Sequence, residues 1–241
     1  MRLSRIVFGL AAVCCLASCD EGRLFPDNSG RAEEGRTAFF SAVVSGADTW
    51  PSGYTIALAG FAESEDYAVT SRNIAVSADG ICAAELTGLP TSVAVVELCA
   101  LDRLRRRVAT FASAACAEAD DIVRLQVDTV DVSMAAAVQQ EVFNPTCAQC
   151  HGGAAFAAAG LNLTEGRSFA ELVGVASTKA PGTLRVSPGS SDESLLYRIL
   201  AGNESAAWGY DHSVEVVRQE KLQLIKNWID HGAQYNYGIQ N

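Results

Sequence analysis

The sequence predicts two folded domains in tandem, an all-β sandwich over residues 37–132 and an all-α domain over 133–241. The hydrophobic period carries that division: it is close to two before about Ser133 and lies between three and four after it. Turn-forming pairs such as Asp79-Gly80, Leu89-Pro90 and Asp102-Arg103 also punctuate the first half at near-regular spacing. With 241 residues, 49% of them hydrophobic, the chain can bury one large core or two small ones.

The first residues read as a processing signal. Arg2 and Arg5 precede an apolar run over 6–16 that is too short for a permanent membrane span. It ends in Leu16-Ala17-Ser18-Cys19, which resembles the lipobox of bacterial lipoproteins. The resemblance implies removal of residues 1–18 as a signal peptide and lipidation of Cys19. The protein would then sit in the cell envelope, anchored by lipid to the inner or outer membrane and facing the periplasm or the cell surface. Residues 19–36 are polar, with Pro26, Asn28, Ser29 and Gly30, and read as a flexible tether. The formal charge is −10; losing Arg2 and Arg5 leaves 16 basic against 28 acidic residues, a balance of −12. Such a surface disfavours electrostatic binding of nucleic acid or of an anionic membrane and favours a partner with a basic docking face.

Seven short β-type runs follow, at 39–44, 54–61, 67–77, 81–86, 93–98, 107–112 and 122–132. Their number and spacing resemble immunoglobulin-like sandwiches. The region holds no histidine and no catalytic constellation, so it reads as a spacer or contact module. It does hold Cys82, Cys99 and Cys116. Outside the cytoplasm two of the three would pair; the sequence does not choose among the pairings, with a slight lean to Cys99–Cys116. Arg103, Arg105, Arg106 and Arg107 form a basic cluster, either a solvated hairpin tip or a docking patch for an acidic partner or lipid headgroups.

From Ser133 onward Ala135, Val138 and Val142 recur at helical steps until Asn144-Pro145, where the run should stop. Ser168 with Glu171, and Ser190 with Glu193, read as capping boxes, the second opening a helix over 192–201 that ends at Gly202. A last helix over about 218–230 shows Leu222, Ile225, Trp228 and Ile229 on one face.

The sharpest signal is Cys147-Ala148-Gln149-Cys150-His151. Two cysteines three apart at a helix end can set both sulfurs along one porphyrin edge, each forming a thioether with a vinyl group. The next residue then offers an imidazole to the iron. Gly152 and Gly153 let the chain pass close to the macrocycle. A redox dithiol would want a thioredoxin-like βαβ context, and structural zinc a second nearby ligand pair; neither is visible.

Around this motif stand Val142-Phe143-Asn144-Pro145-Thr146, Gly160-Leu161-Asn162-Leu163, Val186-Ser187-Pro188-Gly189, Ser194-Leu195-Leu196-Tyr197 and Trp228-Ile229-Asp230-His231-Gly232-Ala233. Together they resemble a mono-haem c-type cytochrome domain over roughly 134–241. The resemblance implies one covalent haem c on Cys147 and Cys150, with His151 as an axial iron ligand and Leu161 and Leu163 on the haem edge. It also implies a methionine as second axial ligand, and here the sequence departs. Past the signal segment the chain has one methionine, Met134, upstream of the motif. Where the ligand methionine would fall stands Trp208-Gly209-Tyr210-Asp211-His212-Ser213, so His212 becomes the candidate distal ligand. His231, at the end of the last helix, and Met134 are lesser ligand candidates beside an open iron, and His231 also reads simply as a dipole partner.

The function expected is a membrane-tethered c-type cytochrome passing single electrons to redox partner proteins, with no substrate turnover required. Two alternatives remain at this point: a haem-based peroxidase or sensor subunit, should His212 not bind iron, and an accessory lipoprotein whose β-sandwich binds a surface.

Overall fold

The computed structural model describes residues 35–117, 122–153, 157–204 and 209–236. The expected signal peptide, Cys19, the tether up to residue 34, and Trp208 lie outside the described residues.

Seven strands occupy the predicted positions: β1 Arg36–Ser45, β2 Thr55–Phe61, β3 Ala68–Asn73, β4 Ile81–Leu89, β5 Val95–Leu101, β6 Arg107–Ala115 and β7 Ile122–Asp131. In β1 the side chains of Ala38, Phe40, Ala42 and Val44 are buried and those between them are less so, the alternation of a strand with one face on a core. β2 and β5 are buried on both faces after their first residue, which is why they read as continuous apolar runs. On one face Leu58, Val96 and Leu98 join the main core; on the other Ala57, Ala59, Phe61, Cys99 and Leu101 form a second cluster.

The strands form two sheets, ordered β4-β1-β7 and β3-β2-β5-β6. β1 runs parallel to β7, while the other pairs are antiparallel. This corrects the immunoglobulin-like expectation. That fold puts its first, second, fifth and fourth strands in one sheet and the other three in the second. Here the first strand sits between the fourth and seventh. Strand spacing reports how often the chain turns, not which strand pairs with which.

The expectation of a separate all-α cytochrome-like domain is also overturned. Residues 33–241 form a single compact unit of mixed β and helical structure. The helices are short: α1 Met134–Val138, α2 Ala148–His151, α3 Ser168–Leu172, α4 Leu195–Leu200 and α5 Gln219–Asp230. α1 and α5 pack on each other and on β6. Phe143, Leu224, Ile225, Trp228 and Ile229 belong to the same buried cluster as Phe40, Leu58 and Leu98. Polar contacts cross the junction as well. Met134 N donates to Thr49 Oγ1 at 3.0 Å and Asn227 Nδ2 to the Tyr54 hydroxyl at 2.8 Å. Arg106 pairs with Glu220 at 3.2 Å and Arg218 with Asp66 at 3.1 Å. A change of hydrophobic period marks a change of element. It carries no information on whether the two apolar faces meet, and here they do.

Three local expectations change too. The helix carrying the cysteine motif does not stop at Pro145. Ser133 caps α1 by accepting from Ala136 N at 3.1 Å, and the helix then widens to i→i+5 winding over Gln139–Cys147 before tightening into α2. The wide turn moves away the carbonyl that a proline ring would strike in an α-helix, so Pro145 is accommodated. Neither capping box forms. Ser168 Oγ donates to Gln139 Oε1 at 2.5 Å and Glu171 Oε2 accepts from Asn162 N at 2.6 Å, so both side chains serve distant partners. α4 begins at Leu195, with the fully buried Ser194 hydroxyl donating to Ser190 O at 2.8 Å.

Finally, Cys82, Cys99 and Cys116 are thiols. Val95 faces Ala115 across β5 and β6, and Cys116 N bonds Ala94 O, so Cys116 lies five strand positions from Cys99. At about 3.4 Å per residue that distance is far beyond a disulfide. Among the described residues no helix is long and apolar enough to cross a membrane.

Candidate functional site

The wide-wound segment ends by presenting Cys147, and one turn of α2 presents Cys150 and His151. Both cysteines are thiols, Cys147 half-buried and Cys150 exposed. Burial, followed by the neighbouring Glu215 and Cys150, pushes the Cys147 thiol up to about 12. A thiol used for disulfide exchange needs the opposite shift. Nor do three His, Cys, Asp or Glu side chains converge as a metal-ion cluster among the described residues. The described residues thus show neither a lowered thiol pKa nor a ready-made metal-ion cluster at this segment.

His151 is held in a defined orientation. Its Nδ1 lies 2.9 Å from Ala158 O, so Nδ1 carries the proton and donates it, leaving Nε2 as the free lone pair. Its own carbonyl accepts from Leu163 N at 2.6 Å. The chain turns away at Gly152, where a Cβ would come within 2.4 Å of Ala148 O; no larger residue fits there without backbone movement. Leu163 is buried and Leu161 half-buried beside this segment.

His212 opens a single 3-10 turn, His212–Val214, capped by Asp211, whose carboxylate accepts from Ser213 N at 3.0 Å. The fold brings this ring to 6.3 Å from the ring of His151, centre to centre, with the planes inclined by 26°. Tyr210 meets His212 edge-on at 5.0 Å and hydrogen-bonds Glu215. Burial, then the nearby His151, lowers the His212 pKa, which favours the neutral imidazole, the form that binds metal.

The separation of the two rings suits a haem iron held between them. Two imidazoles trans on one metal, with metal–nitrogen bonds of about 2 Å, have ring centres roughly 6 Å apart. The His151 ring nitrogen not needed for coordination is already used, bonded to Ala158 O. His231 is elsewhere: exposed, at the C-cap of α5, with Nδ1 2.8 Å from Asn227 O. Met134 is buried in the shared core.

Several contributors were not foreseen. Gln139 is 4% exposed; its Nε2 donates to Asn144 Oδ1 at 2.6 Å and to Leu163 O at 3.1 Å, while Ser168 donates to its Oε1. One buried amide thus ties the wide-wound helix to the loop that bonds His151. Its polarity at an apolar-face position, four residues after Ala135, was the available signal. The Ala158 carbonyl left none. Phe169 stacks among Phe143, Trp228 and Tyr235 at 5.8, 5.1 and 5.5 Å, forming an aromatic floor under the helical half. Of the basic cluster, Arg107 is bound by Glu97 at 2.8 Å and Asp66 at 3.0 Å, and Arg106 by Glu220. Those two arginines are structural braces.

No protein family, no curated protein and no solved structure matches the chain.

Proposed function

We propose that this protein is a membrane-tethered c-type electron carrier holding one covalent haem on Cys147 and Cys150, with His151 and His212 on its two axial sides. The paired histidines next to the Cys-x-x-Cys-His segment carry the reading. When bound, the haem supplies a one-electron ferric–ferrous couple. Cys147 and Cys150 fix its edge, Ala158 O orients the His151 ring, and the Asp211-capped turn sets His212 opposite. Imidazole on both sides favours the ferric state relative to a histidine–methionine pair, so a low potential follows. Were both histidines to hold the iron, they would leave peroxide or oxygen no site on it, which favours a carrier over a peroxidase. An acyl chain on Cys19 would keep the protein at the envelope membrane, and its acidic surface suits redox partners with a basic face.

The test is the visible spectrum of the mature chain coexpressed with haem-attachment machinery. A c-type spectrum that survives denaturation, low-spin in both oxidation states and turned high-spin by His212→Ala, supports the proposal. A native spectrum that is already high-spin shifts the reading to peroxide chemistry or sensing. Absence of covalent haem overturns it.

A further inference from the structure

We propose that the tip of the β5–β6 hairpin, with Tyr67 beside it, is a docking surface for an anionic lipid bilayer. The tip is rigid. Asp102 Oδ1 accepts from Leu104 N at 2.9 Å and from Arg106 N at 2.8 Å, and Asp102 N donates to Arg106 O at 3.0 Å. Arg105 has φ of 62°, a left-handed conformation that ordinarily selects glycine or asparagine.

What the tip displays is amphipathic. Leu104 is 73% exposed, the most exposed large hydrophobic side chain among the described residues, and it stands between the exposed Arg103 and Arg105. Arg106 and Arg107 are bound by carboxylates, as described above. Among the described residues no ion pair engages Arg103 or Arg105. Tyr67, 51% exposed, is joined to the tip by its bridge to Arg106 and by Ala68 N donating to Arg105 O at 3.0 Å.

Two guanidiniums without an ion pair among the described residues, that of Arg103 lying against Gly53, flank an apolar apex beside an aromatic with a polar end, and this arrangement matches the layers of a membrane interface. Leucine reaches the acyl boundary, tyrosine sits at headgroup level and arginine meets phosphate. A bilayer satisfies the arginines at its phosphates and takes up Leu104 at its acyl boundary in one flat contact. Because the chain carries a formal charge of −10, an anionic surface would repel most of the molecule and admit it tip first. The inference is independent of haem binding.

The experiment is sedimentation of residues 33–241, the compact unit, with vesicles of phosphatidylcholine alone or mixed with phosphatidylglycerol. Binding is expected on the mixed vesicles and should weaken with salt. Arg103→Gln and Arg105→Asn should each lower the partition coefficient roughly fivefold. Asparagine tolerates the left-handed backbone, so the second change removes charge without adding strain. Leu104→Ser should lower it further without altering the salt dependence. Arg124→Gln, on β7 of the other sheet, should leave it unchanged. No vesicle binding, the outcome if the partner is an acidic protein, overturns the proposal. So does equal binding to both compositions, or an equal effect of Arg124→Gln.

Discussion

The rings of His151 and His212 stand 6.3 Å apart with planes 26° from parallel, although one lies at the end of a helix and the other on a separate 3-10 turn. Each is fixed by its own local bonds, His151 through Ala158 O and His212 through the Asp211-capped turn. Two independently braced imidazoles would need little reorganisation to hold a metal, as the proposed electron carrier requires.

Exchanging one of them should move the potential in a known direction. His212→Met replaces a strong donor with a thioether that stabilises ferrous iron. The expected result is a rise on the order of 100 mV, within the roughly 0.8 V range that axial ligation spans. Spectroelectrochemical titration of wild type and variant checks it; an unchanged midpoint removes His212 from the iron.

Gln139 should matter for both stability and the site. Gln139→Leu leaves Asn144 Oδ1, Leu163 O and the Ser168 hydroxyl without their buried partner, a loss of about 2–4 kcal/mol. Urea unfolding measures that loss. Because Leu163 N bonds His151 O, a change in the low-spin spectrum should accompany it. A purely structural brace would leave the spectrum untouched.

Acid should loosen the union of sheet and helix. Burial raises the Asp66 pKa, but hydrogen bonds from Arg107 and Arg218 outweigh it and hold the group below its ordinary value of 3.8. At Glu220 burial also raises, and its own backbone N–H with Arg218 and Arg106 prevails, keeping it below 4.5. Groups depressed on folding stabilise fully above their unfolded pKa and lose that contribution as pH falls through the folded one. Stability should therefore hold above about pH 5 and decline below about pH 4, by less than about 1 kcal/mol for each of these partly exposed pairs. Urea midpoints across that range test it. The decline should shrink in Arg218→Gln, which has already lost the pairing.

The seven strands and the haem-type motif were legible in the sequence because both are local. A strand declares itself through alternation and flanking turns, and the Cys147-x-x-Cys150-His151 spacing is fixed by covalent geometry along one helical turn. His212 was legible only by comparison with a pattern, as the histidine standing where a methionine was expected. What the sequence left undetermined was everything that depends on faces meeting at a distance. The strand order β4-β1-β7, the single core joining Phe40 to Trp228, and the diversion of Ser168 and Glu171 from capping to long-range bonds are tertiary outcomes. So is the 6.3 Å approach of His212 to His151. Local propensities are worth tenths of a kcal/mol per residue, whereas burying a Trp228 or a Phe143 is worth about 1.5–3 kcal/mol each, so packing decides where the two disagree.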